Sequence, residues 1–249
     1  IAGPRRPLTA EQVRTLEEYL GRREKREPVS HILGVKGFWK IMLKVTPAVL
    51  TPRPDTESLL DVVLPRISAT APVSVLDLGV GSGAILLAIL AERPAARGVG
   101  VDLSWEAVAV ARENAANLGL AARVALLRGD WTAGLAHETF DVVLANPPYI
   151  ASQAIADLQP EVRDHEPRLA LDGGVDGLDA YRRLAPEILD VLRPGGLFVV
   201  EIDPALKARV MSLFEIAGAQ AVESTADLAG RDRVVFGRKK DVGESTAEG

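Results

Sequence analysis

The chain has 249 residues, 47% of them hydrophobic and 25% charged, and a formal net charge of −5. That composition belongs to an ordinary globular protein of one large domain, or one plus a small appendage, and it excludes a uniformly basic nucleic-acid coat. There is no cysteine, and the three histidines, His31, His137 and His165, are not at ligand spacing, so no disulfide, thiolate nucleophile or metal site is expected.

Residues 1–28 are predicted to form a helical segment. Thr9 and Gln12 fit a capping box, Val13, Leu16 and Leu20 share one stripe, and the charged run 22–27 is its solvated end. Residues 29–50 read as a β-hairpin linker. Ile32, Leu33 and Val35 precede a turn at Lys36-Gly37, the alternation Ile41, Leu43, Val45 follows, and Phe38, Trp39 and Met42 are assigned to its core. Thr51-Pro52-Arg53-Pro54-Asp55 is a stiff loop, after which Asp55 or Thr56 caps a helix to about residue 67.

From residue 73 the pattern alternates. Strands are predicted at 73–77, 98–102, 124–127, 141–146 and 197–201, and helices at 84–92, 106–118, 180–192 and 205–217. Two short strands near 221–224 and 234–237 end the unit. The expected fold class is α/β, a parallel sheet with helices on both faces, over a main domain of residues 51–240. The polar tail 241–249 is expected to be disordered. The apolar stretch 73–91 is broken by Asp77 and three glycines, so no membrane contact is expected. No signal-peptide pattern precedes the first helix and the chain opens on Ile1 rather than Met, so a trimmed start to a cytoplasmic protein is expected.

Two motifs carry chemistry. Asp77-Leu78-Gly79-Val80-Gly81-Ser82-Gly83 ends one predicted strand and opens a helix, and Asp102 ends the next strand, placed to accept from both ribose hydroxyls of a nucleoside cofactor. The loop does not say which nucleoside, because Gly79, Gly81 and Ala84 also fit the dinucleotide fingerprint. The second motif, Asn146-Pro147-Pro148-Tyr149, follows a buried strand. The prolines hold it extended, so the Asn146 side-chain oxygen and the Pro147 carbonyl can converge on a planar NH₂ group while Tyr149 offers a face for stacking. Two acceptors on a delocalised nitrogen localise its lone pair and stabilise the positive charge of attack on an electrophilic methyl group, such as that of S-adenosylmethionine. Hydride transfer has no use for such a pair. In Gly129-Asp130-Trp131, Asp130 could accept from an adenine amino group and Trp131 could cover the ring. Arg53 and Glu57 could frame the site's mouth, and the charged run Glu161, Arg163, Asp164, His165 and Glu166 is a candidate for substrate contacts.

Nearly the whole chain, from about Glu11 to Arg238, resembles the bacterial release factor glutamine methyltransferases, the PrmC/HemK family. The match lies in Arg26-Glu27-Pro28-Val29-Ser30-His31-Ile32-Leu33-Gly34, Phe38-Trp39, Thr51-Pro52-Arg53-Pro54-Asp55-Thr56-Glu57, the glycine loop, Asn146-Pro147-Pro148-Tyr149, and Glu166-Pro167 with Ala170-Leu171. The resemblance implies a Rossmann-like, seven-stranded class I methyltransferase sheet with a small helical N-terminal domain, here shortened, and a hairpin linker. It implies methyl transfer from S-adenosylmethionine to the side-chain amide of the Gln in the Gly-Gly-Gln motif of peptide chain release factors. Gly79 to Gly83, Asp102, Trp131 and Asn146 would hold the cofactor, and Asn146 to Tyr149 the amide. Departures from the family pattern are Val80 for Thr, Gly37 for Glu before Phe38, and Asp203-Pro204-Ala205 after Glu201.

The full expectation is therefore a cytoplasmic monomer that uses S-adenosylmethionine and no metal. Asn146, Pro147 and Tyr149 are catalytic. Asp77, Gly79, Val80, Gly81, Ser82, Gly83, Asp102, Asp130, Trp131 and Asn146 bind the cofactor. Arg53, Glu166 and the Asn146–Tyr149 tetrapeptide, Pro148 included, bind the substrate. Nucleic acid is not expected as substrate. The rival readings are a methyltransferase for a ribosomal-protein Gln or for an adenine or cytosine amino group, a non-catalytic binding module, and a nicotinamide dehydrogenase.

Overall fold

A computed structural model describes residues 7–227 and 229–241. Most of the predicted tail, 242–249, lies outside the described residues. Helix α1 (Ala10–Glu24) opens with the predicted capping box, Thr9 accepting from the Gln12 amide and Gln12 from the Thr9 amide. None of its side chains is buried, so the apolar stripe Val13, Leu16, Leu20 faces outward. A short helix α2 (Val29–Leu33) leads into the hairpin of β1 (Val35–Phe38) and β2 (Ile41–Lys44).

The hairpin turns at Trp39-Lys40, because Phe38 pairs with Ile41 and Gly37 lies within the ladder opposite Met42. Trp39 adopts φ +52°, a conformation stabilised from outside the hairpin. The Glu57 carboxylate accepts from its backbone N–H at 2.8 Å, and Glu92 accepts from its indole N–H at 3.2 Å. Phe38 is buried as expected, but Met42 is 61% exposed, since it sits on the hairpin face opposite Leu43. A 3-10 turn over Pro54–Glu57 enters α3 (Ser58–Val63) without any side-chain cap. Asp55 pairs instead with Arg231 and Arg233, and the Thr56 hydroxyl accepts from Asn146.

The remaining elements are β3 (Ser74–Leu78), α4 (Ala84–Glu92), β4 (Arg97–Asp102), α5 (Trp105–Asn117), β5 (Val124–Arg128), β6 (Phe140–Ala145), α6 (Pro160–Arg163), α7 (Asp179–Val191), β7 (Leu192–Glu201), α8 (Lys207–Ile216), β8 (Ala219–Ala226) and β9 (Asp232–Lys239). They build a seven-stranded sheet in the order β5-β4-β3-β6-β7-β9-β8. The strands β3 to β7 are parallel, and β9 is antiparallel to both β7 and β8. The sheet is thus mixed, closed at one side by the last two strands, both longer than predicted.

Strand alternation divides the core. Val75, Val142, Leu144, Leu197 and Val199 face the cluster that includes α3, α4 and α5, whereas Leu76, Leu78, Val143, Phe198 and Val200 face α7 and α8. The strand order reverses between β3 and β6, so their carboxyl ends open a crevice at the position where open α/β sheets bind ligands.

Candidate active site

The crevice is a cavity of about 1100 Å³ lined by residues from several stretches of the chain, among them Arg53, Gly79, Asp102, Trp131, Asn146 and Leu169. The glycine loop forms its floor. Gly79, Gly81 and Gly83 have φ of +76°, +51° and +83°, so the loop needs residues without a Cβ. A Cβ on Gly83 would also stand 2.8 Å from Leu87 on the helix it starts.

Asp102 accepts from the Gly81 amide through Oδ2 and from the Ser104 amide through Oδ1, each at 2.9 Å. Each oxygen retains a lone pair toward the cavity. Burial raises its pKa, and the amides of Ser104, Gly81 and Leu103 oppose that. Asp77 lies beneath the loop and does not line the cavity. It is 1% exposed and neither carboxylate oxygen has a hydrogen-bond partner among the described residues. Desolvation pushes it up to about 7, aided by the Asp102 charge and opposed by the nearby Leu86 amide.

Val80 and Ser82 line the cavity with Gly79 and Gly81, and Gly83 lies behind them. The Ser82 carbonyl accepts from Asn114, whose side chain also exchanges hydrogen bonds with both backbone groups of Lys44. Asn114 therefore ties the hairpin to the glycine loop. It falls on the buried stripe of α5 with Ala107 and Ala111, a signal present in the sequence and absent from the expected site.

On the opposite wall, Trp131 stands 3.6 Å from where a Gly79 Cβ would be, and Asp130 gives both oxygens to Arg183 at 2.9 Å. Both residues line the cavity, as does Arg183, which the sequence did not single out.

Asn146 leaves the end of β6 and lines the cavity together with Pro148, while Pro147 is buried. The Asn146 Nδ2 donates to Thr56 Oγ1 at 3.4 Å. Neither Asn146 Oδ1 nor the Pro147 carbonyl accepts a hydrogen bond among the described residues. Tyr149 packs into the α7/α8 core, and its hydroxyl donates to Glu201 Oε1 at 3.3 Å. Burial and the neighbouring Glu201 charge raise its pKa well above the usual tyrosine value. Behind the tetrapeptide runs the loop Gly173–Gly177, so close that a Cβ on Gly173 would lie 2.8 Å from the Pro148 carbonyl oxygen and the Tyr149 Cα.

The charged residues on the far side play other parts. Arg53 donates to both oxygens of Glu166 at 2.8 Å, and the Glu166 carboxyl is 1% exposed. Burial raises the Glu166 pKa and Arg53 lowers it. Arg53 lines the cavity and Glu166 does not. Glu161 binds Arg23 and Arg26 at 2.6 and 2.7 Å, which brings its carboxyl to about 2, and His165 contacts the Lys25 carbonyl. Arg163 and Asp164 pair with each other. Glu161 and His165 therefore dock the end of α1 onto the sheet domain. Among the described residues, no cluster of acidic or histidine side chains could hold a metal, and no helix is long and apolar enough to cross a membrane.

Residues 70–241 match the methyltransferase domain family and residues 1–34 the PrmC N-terminal domain. A methyltransferase from Pyrococcus furiosus has a similar fold, with a TM-score of 0.58 at 17% identity, covering 94% of this chain and 100% of that one. A release factor glutamine methyltransferase from Caulobacter vibrioides is 62% identical over 96% of this chain and 83% of its own length. Its counterpart from Rhodospirillum rubrum is 45% identical over 96% and 73%. With a methyltransferase domain over more than half of its length and relatives this similar, the chain belongs to the release factor glutamine methyltransferase family.

Proposed function

We propose that this protein transfers a methyl group from S-adenosylmethionine to the side-chain amide nitrogen of the Gln in the Gly-Gly-Gln motif of peptide chain release factors. The observation that carries the reading is the state of Asn146. It stands in the same cavity as the glycine loop and Asp102, spends its Nδ2 on Thr56, and leaves Oδ1 uncommitted.

The cavity suits the cofactor. Its volume is slightly above the usual range for a small-molecule site, leaving room for an acceptor side chain beside a cofactor, and Asp102 has spare lone pairs for two hydroxyls. Above about pH 7, where Asp77 gives up its proton, its carboxylate beneath the loop favours a positively charged ligand. Gly79 to Ser82, Asp102, Trp131 and Asn146 would hold S-adenosylmethionine. Asp130, engaged by Arg183, retains lone pairs for an adenine amino group. When bound, the cofactor supplies an electrophilic methyl on a sulfonium.

The chain's own residues prepare the acceptor. Asn146 Oδ1 and the Pro147 carbonyl take the two hydrogens of the glutamine amide, drawing its nitrogen toward a tetrahedral shape. Tyr149, packed into the core with its hydroxyl on Glu201, supports the tetrapeptide from behind, and Arg53 stands at the mouth. The two accepted hydrogen bonds strengthen as positive charge builds on nitrogen, so they act chiefly in the transition state. The substrate is a protein presenting a glutamine loop, the chain works as a monomer, and its setting is the cytoplasm.

The test is mass spectrometry of a release factor incubated with the protein and S-adenosylmethionine, with the Gly-Gly-Gln peptide fragmented. One methyl on that glutamine's amide is expected. An unmodified glutamine, alongside demonstrated cofactor binding, would overturn the substrate and direct the search to ribosomal proteins and RNA.

A further inference from the structure

Asn146 can serve as an acceptor only if its amide faces the pocket oxygen first. The two ends of an asparagine amide are nearly the same shape, so something must choose between them. Its partner, the Thr56 hydroxyl, is 4% exposed and can both give and receive a hydrogen bond. Thr56 therefore selects an orientation only if its own hydrogen is already committed.

Glu201, at the end of β7, stands where that commitment can be made. It is 2% exposed, and Tyr181 donates to its backbone carbonyl at 2.7 Å, which anchors it. Oε1 takes the Tyr149 hydroxyl, while Oε2 has no hydrogen-bond partner among the described residues. Thr56 lies close enough to draw the carboxyl toward its charged form, although outside hydrogen-bonding geometry. Arg233 is the nearby cation, but it is engaged by Asp55 at 3.0 Å and by Asp227 at 3.4 Å, and no cation among the described residues forms an ion pair with Glu201.

We propose that Glu201 and Thr56 are positioning residues that orient both arms of the acceptor pocket. This rests on the reading of Asn146 to Tyr149 as that pocket. An ionised carboxylate can only accept. Glu201 takes the hydrogen of Tyr149 on Oε1, and a small shift of Thr56 would bring its hydroxyl to the unpartnered Oε2. The Thr56 lone pairs are then left for Asn146 Nδ2, and Oδ1 must face the substrate N–H. When Glu201 is protonated it can donate to Thr56, whose hydrogen then turns to Asn146 and the amide loses its bias.

The groups facing Glu201 decide where that happens. Burial raises its pKa to about 7, Thr56, Arg233 and the Tyr149 hydroxyl lower it, and Asp55 raises it. Tyr181 contributes only through the backbone contact, and its own hydroxyl is held far above the usual range by burial. Glu201 is therefore mostly charged above about pH 7 and mostly neutral below it.

The experiment measures kcat, KM for a Gly-Gly-Gln release factor, S-adenosylmethionine affinity and melting temperature across pH 5.5 to 9. It compares wild type, Thr56→Val, Thr56→Ser, Glu201→Gln and Asn146→Ala, with all pH values here chosen to bracket ~7. Wild-type kcat should fall as pH drops below about 7. Thr56→Val should lose ~10-fold or more in kcat while binding cofactor normally. Thr56→Ser should recover most of it, and both Thr56→Val and Glu201→Gln should lose the inflection. A Thr56→Val protein within ~2-fold of wild type in kcat, or a wild-type profile without the inflection, would overturn the brace. The wild-type profile and Thr56→Ser decide the matter even if the valine or glutamine variant does not fold. Full activity in Asn146→Ala would overturn the pocket reading itself, which is a separate failure.

Discussion

Asp102 does two things at once: it holds the Gly81 amide in the loop and keeps lone pairs facing the cavity. Asp102→Ala should therefore weaken S-adenosylmethionine binding by about 1–3 kcal/mol, the scale of hydrogen bonds to a charged group. Titration calorimetry checks this, and an unchanged dissociation constant would remove Asp102 from the cofactor site. Single residues were legible in the sequence where a motif is contiguous. The run Asn146 to Tyr149 was legible as an irregular stretch at a strand end, because proline restricts the backbone whatever surrounds it, and Asn146 and Pro148 do line the crevice. Thr56 and Glu201 gave no such signal, since they lie 90 and 52 positions from their partners in the tetrapeptide. A threonine in a proline-rich loop and a glutamate at a strand end read as a cap and a polar terminus. Asp77 was legible as a loop residue, but its burial without a partner belongs to the packing of α4 over β3.

Among the elements, the loop between α6 and α7 is the least conspicuous and the most closely fitted. Gly177 has φ +76°, and its missing side chain lets the chain pass against the Tyr149 carbonyl. Gly177→Ala should destabilise the fold by about 2–4 kcal/mol, combining left-handed strain with overpacking. It should also lower kcat, because Tyr149 must shift. Chemical unfolding and steady-state kinetics check both, and wild-type values in each would show the loop able to yield. The parallel strands and the long helices were visible from period alone, as Val75/Leu76 and Val142/Val143 illustrate by facing opposite layers. The hairpin turn was not. Lys36-Gly37 has the better turn composition, yet Glu57 and Glu92, both from later in the chain, hold Trp39-Lys40 in the turn instead.

At the scale of the whole molecule, two buried acids shape the response to pH. Asp77 and Glu201 both hold a proton up to about pH 7 in the folded protein, but release it near pH ~4 when unfolded. Between those values the native state binds more protons, so stability falls as pH rises and levels off above about 7. The urea midpoint should accordingly be lower at pH ~8 than at pH ~5, and Asp77→Asn should flatten the trend. A midpoint equal or higher at the alkaline end would mean that both acids ionise freely in the native state.

The order of strands in the sheet has a consequence during synthesis. β3 lies between β4, which follows it closely, and β6, which ends only at Ala145. A growing chain can pair β3, β4 and β5 early, yet one edge of β3 waits open until some 67 further residues have emerged, counting from Leu78 to Ala145. That edge carries Val75, Leu76 and Leu78 and ends in the glycine loop, an adhesive margin of the kind chaperones shield on the ribosome. The strand that covers this margin also brings Asn146 to the crevice beside the glycine loop, so the nascent protein hides an open edge and joins two walls of its cavity in the same event.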